Sequence, residues 1–457
     1  MTHIHFIGIG GTGLSAIATV LLQQGHSVSG SDQQASANTE RLIRLGATVS
    51  LGHRPENLPA QVDTVVISSA IPVDNPELAA ARQRGLTLTK RAAWLGQMMQ
   101  NHVGIAIAGT HGKTTTTAMT AFVWRELGQD PTFIVGGFIP QLNTNAAAGQ
   151  GSAFVIEADE YDYTFLGLRP TVAVVTNVEW DHPDIFPTPE AGQQAFVSFV
   201  QKVPAEGLVI GCGDDAGVRQ VIQEAEARVV TYGFNSTNDW QAIKVQSNQR
   251  GGHDFEVIRR IDSSRSDLVT KVSLTLPGRH NVLNALAVLV VAQAQGLEPG
   301  EAAAALGRFR GVGRRFELKG EVKGITVIDD YAHHPTEIKV NLAAARARFG
   351  DRRLWVLVQP HTFSRTLALL DDFAGAFAEA DQVIVVDIFP SREKDEGLIS
   401  SRDLVERIKQ PAARYIGPLS EAAIYLLEHL EPGDVLLTCG AGDGYLVGEW
   451  VLAGLKN

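Results

Sequence analysis

Cysteine is almost missing from this chain: Cys212 and Cys439 are the only two in 457 residues. They are too few and too far apart for a disulfide framework or a cysteine zinc site. Both therefore read as core residues of a protein in a reducing compartment, and a cytoplasmic location is expected. A long apolar run is lacking too. The richest, Ala285 to Ala292 within Asn281 to Gly296, is far shorter than the ~20 residues that cross a bilayer, so it reads as a buried helix and no membrane partner is expected. Residues 1–7 have neither the basic region nor the apolar stretch of a signal peptide, and read as a buried strand with no export implied. Positive charge is in deficit as well. A net charge of -11 argues against a sequence-independent grip on nucleic acid, so local positive charge must bind any anionic ligand. There is no short-period repeat and no low-complexity tail.

What is present is a globular composition, 44% hydrophobic and 19% charged, at a length that implies roughly three domains of about 150 residues. Strand-like runs alternate with helical patterns: Ile4–Ile7, Thr64–Ile67, Ile105–Ala108, Phe154–Ile156, Thr171–Val175, Thr326–Ile328, Trp355–Val358, Val383–Val386 and Val435–Leu437. That rhythm predicts an α/β protein of parallel sheets wrapped by helices. It breaks near Gln97–Asn101 and near Gly311–Gly313, which sets the expected domains at 1–99, 100–313 and 314–457. The polar interval Ser247–Lys271 reads as an antiparallel hairpin.

The most informative segment is Gly109-Thr110-His111-Gly112-Lys113-Thr114-Thr115, which follows the apolar run Val103–Ala108 and precedes a helix-like stretch from Thr116. A strand, a glycine turn and a helix in that order make a phosphate cradle. Backbone N–H groups and the helix N-terminus face the anion, Lys113 supplies a mobile positive charge, and the Thr114 hydroxyl is placed for Mg²⁺. The turn is shorter than the general pattern, with only Thr110 and His111 between its glycines. Two acid-rich runs, Glu157–Asp162 and Asn177–His182, follow consecutive strands, where ligands of parallel sheets gather. Oxygen donors of this kind suit a hard divalent cation, so Glu157 and His182 join Thr114 as expected metal ligands.

A second glycine turn, Gly8-Ile9-Gly10-Gly11-Thr12-Gly13, follows the first strand, and Asp32 lies 19 residues past Gly13, near where a ribose-binding acid belongs. Alone it signals a nicotinamide dehydrogenase, but any nucleotide diphosphate can use that cradle, and the ATP-type turn downstream favours a UDP group. Farther on, Asn281 and Asn284 open the apolar helix, where their amides could read a purine edge or Asn281 could simply cap the helix. Arg314 and Arg315 stand at the second boundary, placed to reach a nucleotide phosphate when domains close. Asp329–Pro335 and Gln359–Thr366 also follow strands and should line a crevice.

Taken with Gly278–Asn284, Gly311–Phe316 and Asp387–Glu393, these motifs resemble the Mur ligase family nearly end to end. The resemblance implies a Rossmann-like N-terminal domain for a UDP-sugar, a central P-loop-type ATPase domain with a mainly parallel sheet, and a Rossmann-like C-terminal domain that brings an amino acid. The implied activity is an ADP-forming amide synthesis. ATP phosphorylates the lactyl carboxylate of UDP-N-acetylmuramate, and the amine of L-alanine attacks the acyl phosphate, in peptidoglycan precursor synthesis. Carried over by position, Gly109 to Thr115, Asn281, Asn284, Arg315 and Asp330 bind ATP, with Thr114, Glu157 and His182 on Mg²⁺. Gly8, Gly10, Gly11, Thr12, Gly13, Ser15, Asp32 and Ser69 bind the UDP-sugar, and Tyr331, His333 and Arg365 the amino acid. Lys113, His182, Arg315 and His333 are the expected catalytic residues, in a monomer or homodimer.

Several family members carry a carbamylated lysine shortly after the magnesium histidine. None occurs here between His182 and Gln201, which suits the alanine-adding branch. The nearest alternative is a member that attaches a tripeptide to the same UDP-sugar. Gln359–Thr366 and Asp387–Glu393 look unlike it. A rival of another class, a nicotinamide-dependent oxidoreductase built on Gly8 to Asp32, leaves Lys113 and both acidic runs unemployed.

Overall fold

The computed structural model describes residues 2–68, 70–262 and 264–456, so Ser69, expected at the UDP-sugar site, lies outside the described residues. Three α/β domains follow one another, each built on its own mainly parallel sheet. The first sheet orders its strands Thr48–Leu51, Ser27–Asp32, His3–Ile7, Thr64–Ile67 and Thr87–Lys90, all parallel. Its helix Thr12–Gln23 is buried at every residue from Leu14 to Leu21, because it packs between its own sheet and the edge strands Thr132–Ile139 and Thr144–Ala147 of the central one.

The central sheet has ten strands, in the order Ser266–Ser273, His253–Arg260, Trp240–Ser247, Arg228–Gly233, Leu208–Cys212, Val172–Val175, Val103–Ala108, Ala153–Glu157, Thr132–Ile139 and Thr144–Ala147. Its middle is parallel and its edges antiparallel. Val103–Ala108 lies between Val172–Val175 and Ala153–Glu157, so the turn that leaves it opens where the strand order reverses and both neighbours end in acid-bearing loops. The C-terminal sheet runs Glu317–Val322, Ile325–Asp330, Val435–Cys439, Leu354–Val358, Gln382–Val385 and Ala413–Tyr415, with only its first pair antiparallel.

Two expectations change. The expected hairpin is a three-stranded antiparallel unit, Trp240–Ser247, His253–Arg260 and Ser266–Ser273, because the alternation of apolar residues continues on both sides of the polar interval. The helix after the phosphate turn starts at Lys113 rather than Thr116, since Gly112, at φ +81°, completes the turn and leaves Lys113 already helical. Cys212 and Cys439 are buried, as expected. The apolar run forms the helix Arg279–Ala294, with every residue from Asn284 to Ala292 buried. No helix among the described residues is long and apolar enough to cross a membrane.

The N-terminal and central domains share one apolar core that includes Leu95, Met99, Phe165 and Leu168. Their backbones approach so closely that a Cβ on Gly96 would lie 2.1 Å from the Gly167 carbonyl. Arg41 and Gln23 add polar ties to Thr144 and to the Ala148 N–H.

Candidate functional site

The central glycine turn is shaped by close approach. Gly109 has φ +133°, and a Cβ there would lie 2.0 Å from Thr176 Oγ1; Gly112 would meet Asn284 Oδ1 at 2.8 Å. These contacts bring the turn against the end of one neighbouring strand and against the helix Arg279–Ala294. The His111 N–H donates to Asn177 Oδ1 at 2.8 Å, and Asn177 Nδ2 donates back to the His111 carbonyl at 2.9 Å.

Lys113 Nζ donates to the carbonyls of Gly109 at 2.6 Å and Thr110 at 2.9 Å and pairs with Glu160 Oε1 at 2.9 Å. Burial works against its charge, but Glu160, Asp159 and Glu157 outweigh it and raise its pKa, so the group remains an ammonium. The other Glu160 oxygen is buried with no hydrogen-bond partner. Thr114 Oγ1 donates to Glu157 Oε1 at 2.8 Å, and the second Glu157 oxygen accepts the Gly136 N–H at 2.7 Å. A hydroxyl and a carboxylate in contact are a donor pair that fits a hard divalent cation. His182, on the loop after the strand Val172–Val175, is near enough to Asp181, Arg365 and Lys113 for all three to act on its pKa, which burial lowers. Its ring packs edge-on against Tyr161 at 5.0 Å.

The C-terminal domain completes the site. Arg315 Nη2 lies 3.4 Å from Thr114 Oγ1, across the domain boundary, and its Nη1 is 3.7 Å from Glu337 Oε1. Arg314 does something else, contrary to the expectation that both arginines reach the nucleotide. With φ +59° it turns into its own domain, pairing with Asp329 at 3.0 Å and donating to the carbonyls of Gly440 and Gly442. Asp330 accepts the N–H groups of Phe316 at 2.6 Å and Ala332 at 2.7 Å, and burial raises its pKa to about 6. Asn281 and Asn284 are buried inside the helix rather than at its cap, which Gly278 occupies. Asn281 Nδ2 donates to the Pro277 carbonyl and Asn284 Nδ2 to Asn281 Oδ1. A cleft of about 200 Å³ joins these parts, lined among others by Gly112, Thr114, Asn281, Asn284, Arg315 and Asp330.

Tyr331 and His333 lie together, ring centroids 5.4 Å apart, with His361 5.7 Å beyond His333. His333 Nδ1 is 2.9 Å from the Tyr331 carbonyl, and burial depresses its pKa to about 3, so the imidazole is neutral. Arg365 is 3% exposed and its donors are engaged: Nε to Asp181 Oδ1 at 2.6 Å, Nη1 to the His361 carbonyl at 2.6 Å and Nη2 to His182 Nδ1 at 3.2 Å. Burial alone would raise the Asp181 pKa, but Arg365 holds it well below the usual range.

The N-terminal turn has no lysine among its glycines; its charged neighbours are Asp32 and Arg91. Gly8 has φ +87°, the Gly10 N–H donates to Asp32 Oδ2 at 2.8 Å, and Ser15 Oγ donates to the Thr12 carbonyl. A Cβ on Gly13 would lie 2.5 Å from Arg91 Nη1, and Arg91 pairs with Asp159 of the central acid run at 3.1 Å. Arg91 thus ties the first turn to the second. No pattern in the sequence marks it, nor Asp159 as its partner. Glu337 was also missed, although its place three residues after His334, where it accepts the backbone N–H of His334 and His333, is a legible capping signal.

Three family models match successive parts of the chain. Residues 3–103 match the Mur ligase family, catalytic domain; residues 107–292 the Mur ligase middle domain; and residues 314–442 the Mur ligase, glutamate ligase domain. The UDP-N-acetylmuramate–L-alanine ligase of Roseiflexus sp. is 46% identical over 468 residues, covering 100% of this chain and 99% of the relative. That of Alkaliphilus metalliredigens is 42% identical, covering 99% and 97%. Among solved structures, the UDP-N-acetylmuramate–alanine ligase of Thermotoga maritima superposes with a TM-score of 0.83 at 28% identity, covering 100% of this chain and 99% of that one. The murein peptide ligase of Psychrobacter arcticus gives 0.74 at 28% identity, with the same coverage.

Proposed function

The chain belongs to the Mur ligase family, and from that premise we propose that it joins L-alanine to UDP-N-acetylmuramate, the two substrates in its relatives' names, through an acyl phosphate with release of ADP and phosphate. The observation that carries this reading is the convergence of Lys113, the Thr114–Glu157 pair and Arg315 of another domain on one glycine turn. A binding module has no use for such a set. The proposed division of labour places the UDP-sugar on residues 1–99, ATP on 100–313 and the amino acid on 314–457.

The chemistry follows from charge. A free carboxylate is a poor electrophile at neutral pH, so its oxygen first attacks the γ-phosphorus of ATP and ADP leaves. The amine then attacks the acyl carbon, and the tetrahedral adduct expels phosphate. Lys113 and the N–H groups of the turn hold the transferring phosphoryl group, and Arg315 adds positive charge as it moves. Thr114, Glu157 and His182 would hold Mg²⁺, which neutralises charge on the phosphate oxygens when bound. Asn281, Asn284 and Asp330 orient the nucleoside. The neutral His333 can accept a hydrogen bond from the incoming amine beside Tyr331, and Arg365, braced by Asp181, sets the floor of that pocket. Substrates drawn from the cell's nucleotide pool fit a cytoplasmic enzyme.

Phosphate release from purified protein with Mg²⁺, ATP and UDP-N-acetylmuramate tests the reading. It should depend on L-alanine. Equal release with a tripeptide would instead favour peptide recycling, and NADH binding without ATP turnover would end the ligase assignment.

A further inference from the structure

Nothing in the reaction above uses His111, Glu179 and His334 as a set, yet they meet at the seam between the central and C-terminal domains. His111 belongs to the glycine turn, Glu179 to the loop after Val172–Val175, and His334 to the start of the helix Pro335–Phe349. One carboxylate oxygen, Glu179 Oε2, faces both rings, 3.0 Å from His111 Nε2 and 3.7 Å from His334 Nδ1. All three atoms lie within 4.8 Å of one another. In a tetrahedral site with ligand bonds of about 2.0–2.1 Å the donor atoms are about 3.3 Å apart, so small side-chain adjustments would close this set around an ion.

The surroundings orient the two rings for that purpose. His111 Nδ1 is 3.3 Å from Glu337 Oε1, a buried carboxylate, and its Nε2 donates to Glu179 Oε2; an arriving ion would displace that Nε2 proton while Glu337 keeps the one on Nδ1. His334 Nε2 is 3.3 Å from the Trp180 carbonyl, which holds the ring proton there, and its Nδ1, 3.7 Å from Glu179 Oε2, caps the helix by accepting the Thr336 N–H at 3.3 Å, a long bond that the ion would replace. Carboxylate and carbonyl partners behind imidazole ligands are the usual outer shell of a metal-binding histidine. Two imidazoles and one carboxylate suit a borderline ion far better than Mg²⁺, which prefers oxygen. Glu179, 36% exposed, leaves a side open to water as fourth ligand.

We propose that His111, Glu179 and His334 form a site for a borderline divalent cation of the Zn²⁺ class, separate from the Thr114–Glu157 oxygen set, whose occupation pins the C-terminal domain to the central domain over the nucleotide cleft. Because the ligands come from both domains, opening the cleft would break the chelate. The cation would therefore slow nucleotide exchange and inhibit turnover.

The test is titration of the full-length protein with Co²⁺, read by its tetrahedral visible absorption, and with Zn²⁺ in competition with a chromogenic chelator, in excess Mg²⁺ and without nucleotide. One equivalent should bind. His334→Ala and Glu179→Gln should each weaken it at least about 10-fold, while His182→Ala leaves it unchanged. Zn²⁺ should raise the unfolding midpoint of the unaltered protein and not that of His334→Ala, with both midpoints measured in chelator to show that the variant folds. Absence of stoichiometric binding, or binding kept by His334→Ala and lost with His182→Ala, overturns the proposal. No ligase substrate is present, so this result and the assignment of the reaction can fail separately.

Discussion

Two glycine turns in this molecule share one plan and differ in their chemistry. Both leave a parallel strand and enter a helix, Gly8–Gly13 in the first domain and Gly109–Gly112 in the second. In the first, a carboxylate has taken a turn N–H, that of Gly10, and no lysine follows the glycines. In the second, an ammonium, a hydroxyl and two glutamates stand within hydrogen-bond distance of one another in pairs. A strand, turn and helix by themselves hold a phosphate. In the proposed reaction, the charged set added to that frame is what permits phosphoryl transfer.

The sharpest way to break this contrast is to remove the charge. Lys113→Met should lower the ADP-release rate by about 10³-fold, the loss expected when one preorganised donor to a transition state is deleted, while UDP-sugar binding measured by calorimetry stays intact. A loss under tenfold would mean the two turns are alike after all. Next comes the frame itself. Gly109→Ala combines φ +133° with a Cβ 2.0 Å from Thr176 Oγ1 and should cost about 2 kcal/mol or more in chemical denaturation. Gly11→Ala, at φ -62° and 3.4 Å from the nearest atom, should stay within about 1 kcal/mol. If both were equally tolerated, close approach would not be what shapes the central turn.

Asp32→Asn should raise KM for the UDP-sugar by about 10-fold, near 1.4 kcal/mol, with kcat unchanged, because in the proposed division of labour the first turn binds without taking part in the chemistry. A fall in kcat would erase the distinction. The mildest effect is on pH dependence. Burial opposes the charge of His111, but hydrogen bonds with Glu179 and Glu337 prevail and raise its pKa to about 9. The folded state therefore keeps a proton that the unfolded chain releases above about 6.5. This stabilisation is complete below that pH and disappears as pH rises through about 9. The unfolding midpoint, taken in chelator from pH 6 to 10, should fall over that window, and His111→Gln should flatten that part of the slope.

Much of this was legible before any fold was known, for reasons that differ by residue. Gly109 to Thr114 could be read because a phosphate cradle is local: strand, glycines, lysine and hydroxyl follow within a few residues. Glu157 and His182 could be read because each closely follows a strand predicted from its apolar run. The start of the helix at Lys113 was missed, since only the left-handed turn at Gly112 shows that the chain is already helical there. Arg314 and Arg315 were indistinguishable as neighbours in sequence. The backbone of Arg314 sends one guanidinium to Asp329 and leaves the other facing Thr114.

The linear order of residues, by itself, determined the α/β alternation and the two glycine turns, because strand burial, helix periodicity and turn chemistry act over distances the chain spans locally. Only the tertiary structure decided which charges meet. The pairs Lys113 with Glu160, Arg91 with Asp159, Arg365 with Asp181 and His111 with Glu337 join residues from separate elements, most of them across a domain boundary. A buried charge is stable only beside its partner, and which partner arrives depends on how the three sheets pack.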